Sequence, residues 1–449
     1  MHQTRRVITI TVALALLFPL AASAAPILDA GHVREHTLAN GMHIVVKEEH
    51  GWGVVAVGLY VRAGLLYDPV DKPGVAHFIE HMLFRTGEEA GEPSPIVATV
   101  EGSGGQISAA TNRDFTLVQV VTSPGSLSKT WPILADTLMD AKFSPEDVIR
   151  ERRIISQEIA EREGMAAEMI GQAVWEQAYP NHPYGNSVGG TTESLDTIDQ
   201  NVLTAYHSNF YVPNNMSVII VGDVDADKVF ADVQASFGGY EQSPVEWEPP
   251  TADVEITSAR TDIQTKPLGM TIIGMGFRGP GIQRKREVCA MDIIYTILGE
   301  GRRARLATEV QDKELITAFD LQYITHRDDG LVLMTAVTEP GKETVARQAI
   351  LDEFATIAAD GVTEEELALA KRQLRNSYAF SNEAYSDQIG SLGFYEMIDT
   401  YRFAIDYIDE VDEVTVDDIK ATAAKYFNPD TRVQVIFRPP APRRPGGQV

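Results

Sequence analysis

Two kinds of segment alternate along the chain, strand-like apolar runs and amphipathic helical stretches, and the series occurs twice. The runs Phe115 to Val121 and Leu331 to Val337 end in Thr122-Ser123-Pro124-Gly125 and Thr338-Glu339-Pro340-Gly341, 216 positions apart. A helical stretch follows each. Next come Ser144-Pro145-Glu146-Asp147 and Thr363-Glu364-Glu365-Glu366, 219 apart. Each supplies a hydroxyl that can accept from first-turn N–H groups, then acids suited to the positive end of the helix dipole, so each predicts a helix start. Tyr211 precedes an apolar strand through Val218 to Val221, and Tyr426 precedes one from Val433 to Phe437, an offset of 215. Three offsets within four residues define an internal repeat. Residues 241–262, with Pro244, Pro249 and Pro250 among acids, predict a connector between halves 25–240 and 263–449. Strands alternating with long helices, some joined by short turns, predict an α+β tandem of two homologous sandwiches, each with a sheet on one side and helices on the other.

The N-terminus departs from this pattern. Arg5 and Arg6 precede an apolar run from Val7 to Leu20, and Ala22-Ser23-Ala24 supplies small residues for cleavage. Residues 1–24 therefore read as a signal peptide, and the expected location is the periplasm. No other run approaches the ~18–20 apolar residues that a membrane-spanning helix needs. A single cysteine, Cys289, excludes an internal disulfide, so packing alone must hold the fold.

The 449 residues exceed one ordinary core, in keeping with two halves. The formal net charge of −26 becomes −28 without residues 1–24, which carry two arginines and no acid. Nucleic acid is excluded as a partner, because phosphate contacts demand a basic face. The acidic balance reads as a solvated surface, and a negative chamber attracting basic peptides is the sharper alternative.

The chemistry lies in His77-Phe78-Ile79-Glu80-His81, introduced by Pro73-Gly74. Helical residues four apart share a face, so two imidazoles aim at one point, and Glu80 sits on the same turn. Downstream, Glu151 and Glu158 are seven residues apart on the helix begun by Ser144, whose apolar positions are Val148, Ile154, Ile155 and Ile159. Seven residues make almost two turns, so both carboxylates project from one face. One completes a three-ligand set for a catalytic zinc and the other supports it from outside. Glu80 is then placed as the base for metal-assisted hydrolysis. In the second half, Ile293, Thr296, Ile297 and Ser377 stand at the corresponding positions, so only one half carries ligands.

The run from Pro73 to Phe84 resembles the insulinase/pitrilysin family of inverted-motif zinc peptidases, in particular its short branch similar to mitochondrial processing peptidase. The resemblance extends through His182-Pro183-Tyr184-Gly185, Pro213-Asn214-Asn215-Met216 before a strand ending Gly222-Asp223-Val224, and the Gly299 to Leu306 turn. It implies that Glu158 is the zinc ligand and Glu151 the accessory catalytic acid. It also implies a pair of related domains, dimers that close around an unfolded peptide, and peptide hydrolysis. Gly104 to Thr111 looks like the family's edge strand, with Ser108, Ala109, Ala110 and Thr111 as substrate-binding residues. Ser108 replaces the family's usual Asn. The Arg and Tyr that active relatives often supply from a second-domain strand are missing from Leu331 to Val337. Tyr323 and Arg327 precede that strand out of register. The resemblance thereby favours a heterodimer with a zinc-less homologous chain. The competing reading is a non-catalytic scaffold or assembly subunit of the same fold.

Overall fold

The computed structural model describes residues 27–85, 93–250 and 256–440; the signal peptide read from residues 1–24 lies outside them. Among the described residues, eleven strands form two sheets. The first contains β1 (Val33–Thr37), β2 (His43–Glu48), β3 (Val55–Val61), β4 (Gln106–Thr111), β5 (Thr116–Thr122) and β6 (Met216–Gly222), in the order β1-β2-β6-β3-β5-β4. The second contains β7 (Arg260–Thr265), β8 (Thr271–Arg278), β9 (Ala318–Tyr323), β10 (Leu331–Thr338) and β11 (Val433–Arg438), in the order β7-β11-β8-β10-β9. Five strands of the first sheet map one-to-one onto the second. The pairs β2–β6 and β7–β11 are parallel, and the other equivalent pairs are antiparallel. The repeat seen in the sequence is thus a repeat of topology, with β1 added to the first half. The strand β7 begins at Arg260, inside the stretch read as connector.

The predicted helix starts are capped as their chemistry demands. The Ser144 hydroxyl accepts from the Asp147 N–H, and Thr363 forms a reciprocal capping box with Glu366. Of the apolar positions expected on the Ser144 helix, Val148, Ile155 and Ile159 are buried, whereas Ile154 is partly exposed.

The layering differs from the expected one-sided sandwich, because each sheet is covered on both faces. One face meets helices of its own half. The other meets a helix from the opposite half: Ala166–Ala178 lies on β8, β10 and β11, and Tyr385–Ile398 lies on β3 and β6. Burial on both faces is why β3 and β6 are apolar at nearly every position, with no alternation. Glycines make the close approach possible. A Cβ at Gly274 would collide with Ile170 and Val174, one at Gly276 with Val174, and one at Gly393 would enter the Tyr60 ring. Tyr60 is fully buried and its hydroxyl donates to the Ile389 carbonyl at 2.7 Å.

Polar contacts reinforce the exchange. His43 Nδ1 on β2 lies 2.8 Å from Glu396 Oε1 on the helix Tyr385–Ile398, and the Arg62 guanidinium donates to the Glu396 carbonyl at 3.0 Å. The bond to Glu396 raises the His43 pKa against burial, which acts to lower it. Burial acts to raise the Glu396 carboxyl, but the His43 bond and charge outweigh it and hold the pKa below its ordinary value.

Two measurements test this interlock. Gly393→Ala should lower the urea-unfolding free energy by about 3 kcal/mol, because neither Tyr60 nor the helix backbone has room to retreat. His43→Gln should show a pH-dependent cost. The raised His43 pKa contributes stability below its unfolded value and loses it as pH rises through the folded one. The depressed Glu396 pKa contributes above its unfolded value and loses it as pH falls. The variant's deficit in melting temperature should therefore be largest between the ordinary carboxylate and imidazole pKa values and shrink on either side of that window; a pH-independent deficit would contradict this.

Candidate metal centre and its surroundings

The centre is built on the helix Val75–Leu83. Its start depends on a residue six positions earlier: Asp68 accepts from the Gly74 N–H at 2.7 Å and the Ala76 N–H at 2.9 Å, occupying first-turn donors that would otherwise be orphaned. Burial pushes the Asp68 carboxyl up to about 7 against those bonds. Gly74 adopts a left-handed φ of 100° and packs directly on the backbone of Gly189 and Gly190. The Ser194 hydroxyl donates to the Pro73 carbonyl at 2.8 Å, fixing the same entry point.

From this helix His77 and His81 present their rings 4.8 Å apart, nearly perpendicular. The neighbouring helix Pro145–Glu163 supplies Glu158, whose Oε2 lies 3.9 Å from His77 Nε2 and whose Oε1 lies 3.7 Å from His81 Nε2. One ligand atom from each of the three falls within 4.8 Å of the others, and among the described residues no other group of three His, Cys, Asp or Glu converges in this way. Two imidazoles and one carboxylate form a donor set fitted to zinc.

The protonation tendencies of the two imidazoles differ. Burial, then the charges of His81 and Arg162, push the His77 pKa down to about 3, so this ring is neutral and able to ligate at physiological pH. Its Nδ1 is buried and without a hydrogen-bond partner. Burial acts to lower His81 as well, but Glu151 and Glu158 outweigh it and raise the pKa. His81 Nδ1 lies 3.3 Å from Glu151 Oε2, and Arg85 Nε donates to Glu151 Oε1 at 2.6 Å. Glu151 is 1% exposed; burial acts to raise its carboxyl, but the His81 and Arg85 contacts hold it below the ordinary range. In this geometry Glu151 orients His81. The two carboxylates, left interchangeable by their spacing, are separated by the fold into one facing both imidazoles and one behind His81.

Glu80 borders the same centre. Burial raises its pKa, countered by hydrogen bonds from Thr111. A cavity of about 350 Å³ opens beside it, lined by Glu80, His81, Phe84, Arg85, Val97 and Glu151.

The strand expected to receive substrate, β4, lies at the sheet edge, hydrogen-bonded among the described residues to β5 alone, and it packs beside the helix Val75–Leu83. Ser108 and Ala110 are exposed on it, and Ala109 is half-buried against the core. The Thr111 hydroxyl, on the same strand, donates to Glu80 Oε2 at 2.6 Å, so its proton is committed within the chain.

Tyr323 and Arg327 are committed elsewhere. The Tyr323 hydroxyl donates to the Pro280 carbonyl at 2.7 Å, and the Arg327 guanidinium donates to the Tyr67 hydroxyl at 2.7 Å and lies over Trp247. The second-half counterparts of the ligands carry no site: Ile293, Thr296 and Ile297 are buried in the second core, and Ser377 is exposed.

Several histidines without spacing partners join the halves instead. His182 lies 3.2 Å from Asp328, and buried His326 lies 2.8 Å from buried Asp114, which also accepts from the Tyr184 hydroxyl. Asp114 sits in the turn between β4 and β5, so the second half holds the hairpin that carries the edge strand. Asp68, Arg85, Asp114 and His326 were invisible as site-supporting residues, because each partner is six to more than two hundred positions distant.

Two matched halves, with His77, His81 and Glu158 converging in the first and, among the described residues, no such group in the second, invite comparison with two-domain peptidases. Residues 43–192 match the insulinase family (peptidase family M16), and residues 197–374 match the peptidase M16 inactive domain. The chain belongs to this family. It is similar to an uncharacterised zinc protease of Mycobacterium leprae, 27% identical over 87% of this chain and 88% of the relative. The corresponding figures for the uncharacterised zinc protease YmxG of Bacillus subtilis are 23%, 90% and 98%. A solved protease from Helicobacter pylori shares the fold with a TM-score of 0.85 and 24% identity, covering 91% of this chain and 99% of that one.

Loss of the group behind His81 should be felt as weaker metal binding. Glu151→Gln is expected to reduce zinc affinity by about 10–100-fold in competition with a chromophoric chelator, with the fold intact by circular dichroism. Unchanged affinity would contradict the orienting role.

Proposed function

We propose that this chain is an exported zinc endopeptidase, acting in the periplasm on extended, unfolded peptides. The observation that carries the proposal is the convergence of His77, His81 and Glu158 beside Glu80 and an open strand edge. The names of the relatives, zinc proteases, support the same chemistry.

His77, His81 and Glu158 would hold the ion, which when bound polarises a peptide carbonyl and makes a water molecule more acidic. The chain's own residues do the rest. A peptide laid against the free edge of β4 gains backbone hydrogen bonds independent of its sequence, which suits unfolded substrates. The cavity beside His81 receives one side chain, with Phe84 and Val97 supplying apolar wall. Glu80 takes a proton from the attacking water and returns it to the departing amine nitrogen. Its raised pKa favours that exchange, because a base nearer neutrality both accepts and releases a proton readily. Glu151 keeps His81 aimed through both steps.

The quaternary arrangement belongs to the same proposal. Tyr323 and Arg327 are held by contacts within the chain, so an Arg–Tyr pair for substrate would come from a second, zinc-less homologous chain closing over the first. Among the described residues no helix is long and apolar enough to cross a membrane.

Glu80→Gln separates this reading from that of a non-catalytic assembly subunit. With the partner chain present, the variant should retain one zinc per chain and lose at least ~10³-fold in turnover of an unstructured peptide, and a chelator should abolish wild-type turnover. Wild-type protein that binds zinc yet cleaves no peptide, alone or with its homologous partner, would favour the assembly role.

A further inference from the structure

We propose that Thr111 is a positioning residue: it aims the Glu80 carboxylate and ties it to the strand on which substrate docks. The inference rests on the reading of Glu80 as the base and gives that base a mechanical connection to the peptide.

Thr111 is the last residue of β4, paired with Thr116 on β5. Its hydroxyl donates to Glu80 Oε2 at 2.6 Å, a short bond to an anionic acceptor. Thr111 Oγ1 also lies 3.3 Å from Thr116 Oγ1, and the Thr116 hydroxyl donates to the Ala63 carbonyl at 2.6 Å. A threonine hydroxyl has one proton to give. That of Thr116 is committed to Ala63, so Thr116 can only accept from Thr111. The Thr111 proton then has a neutral acceptor at 3.3 Å and a carboxylate at 2.6 Å, and the closer, charged one prevails. Among the described residues no other side chain hydrogen-bonds to Glu80.

The consequence is an orientation. With Oε2 held, the carboxylate cannot rotate freely about its terminal bond, and Oε1 is the oxygen left to exchange protons. In the hydrolytic cycle an O–H bond of water breaks as an O–H bond forms at Oε1. Later that bond breaks as an N–H bond forms on the leaving amine. The Thr111–Oε2 bond persists through both, because the carbonyl oxygen of the protonated acid still accepts from the hydroxyl, though less strongly than the carboxylate does.

Thr111 shares its backbone with the strand edge, so pairing of a peptide along β4 restrains Thr111 and, through it, Glu80. Binding energy gained along the strand thereby enters the chemical step as well as affinity. A peptide long enough to pair with β4 should be cleaved with a higher kcat than one trimmed to the residues flanking the scissile bond.

The test compares Thr111→Val, which keeps shape and removes the hydroxyl, with Thr111→Ser, which keeps the hydroxyl, in the full mature protein with any required partner. A long peptide and its trimmed version serve as substrates. Thr111→Val should lose about 10–100-fold in kcat on the long peptide while KM stays within about twofold. Its zinc content and unfolding midpoint should match wild type, and its kcat advantage for long over trimmed peptides should vanish. Thr111→Ser should remain within about threefold of wild type and keep that advantage. The proposal is overturned if Thr111→Val retains kcat, if the serine variant falls equally, if the loss appears in KM, or if zinc or stability is lost. Glu80→Gln measured alongside keeps the two readings apart. An active Glu80→Gln refutes the base itself, whereas an inactive Glu80→Gln beside a fully active Thr111→Val refutes only the tie.

Discussion

The contact between the helices Val75–Leu83 and Pro145–Glu163 is the constraint on which the account depends. Each helix alone carries an ordinary pattern: two histidines four apart on one, two glutamates seven apart on the other. Chemistry appears only where their facing sides bring Glu158 to both imidazoles and Glu151 behind His81. The two helices touch, and both bury residues in one core, Val75, Phe78 and Ile79 from the first and Val148, Ile155 and Ile159 from the second. Packing at interior density leaves little freedom to slide, so the donor geometry is inherited from the core.

The second half contributes without carrying donors. Its helix Tyr385–Ile398 covers β3 and β6, and its loop after β9 places His326 against Asp114 in the hairpin bearing the edge strand. The first half returns the exchange with Ala166–Ala178 on the second sheet. A half without donors is free to act as scaffold, and the reciprocal crossing makes each half necessary to the other's burial.

Much of this was legible in the sequence, and the reasons are local. The His77–His81 spacing and the repeated Thr-x-Pro-Gly and Ser/Thr-acid starts report rules that act within one or two turns of helix. The long-range constraints were not legible. Nothing near Asp68 identifies it as a helix cap, since the N–H groups that donate to it are six and eight positions on. The second covered face of each sheet was hidden for a similar reason: continuous apolar runs such as Met216–Gly222 imply burial on both faces but do not say which helix provides it. The bond from Thr111 to Glu80 was hidden likewise: the strand position of Thr111 was visible and its side-chain partner, 31 residues earlier, was not.

The central claim is a single ion held by two imidazoles from one helix and one carboxylate from the next. Zinc K-edge X-ray absorption on the metal-loaded protein tests it most directly. The account predicts one zinc per chain, with two imidazole nitrogens and oxygen ligands at about 2.0–2.2 Å and no sulfur, the spectrum changing when Glu158 is replaced by Ala. A chain that retains no zinc, or a spectrum indifferent to Glu158, would contradict it.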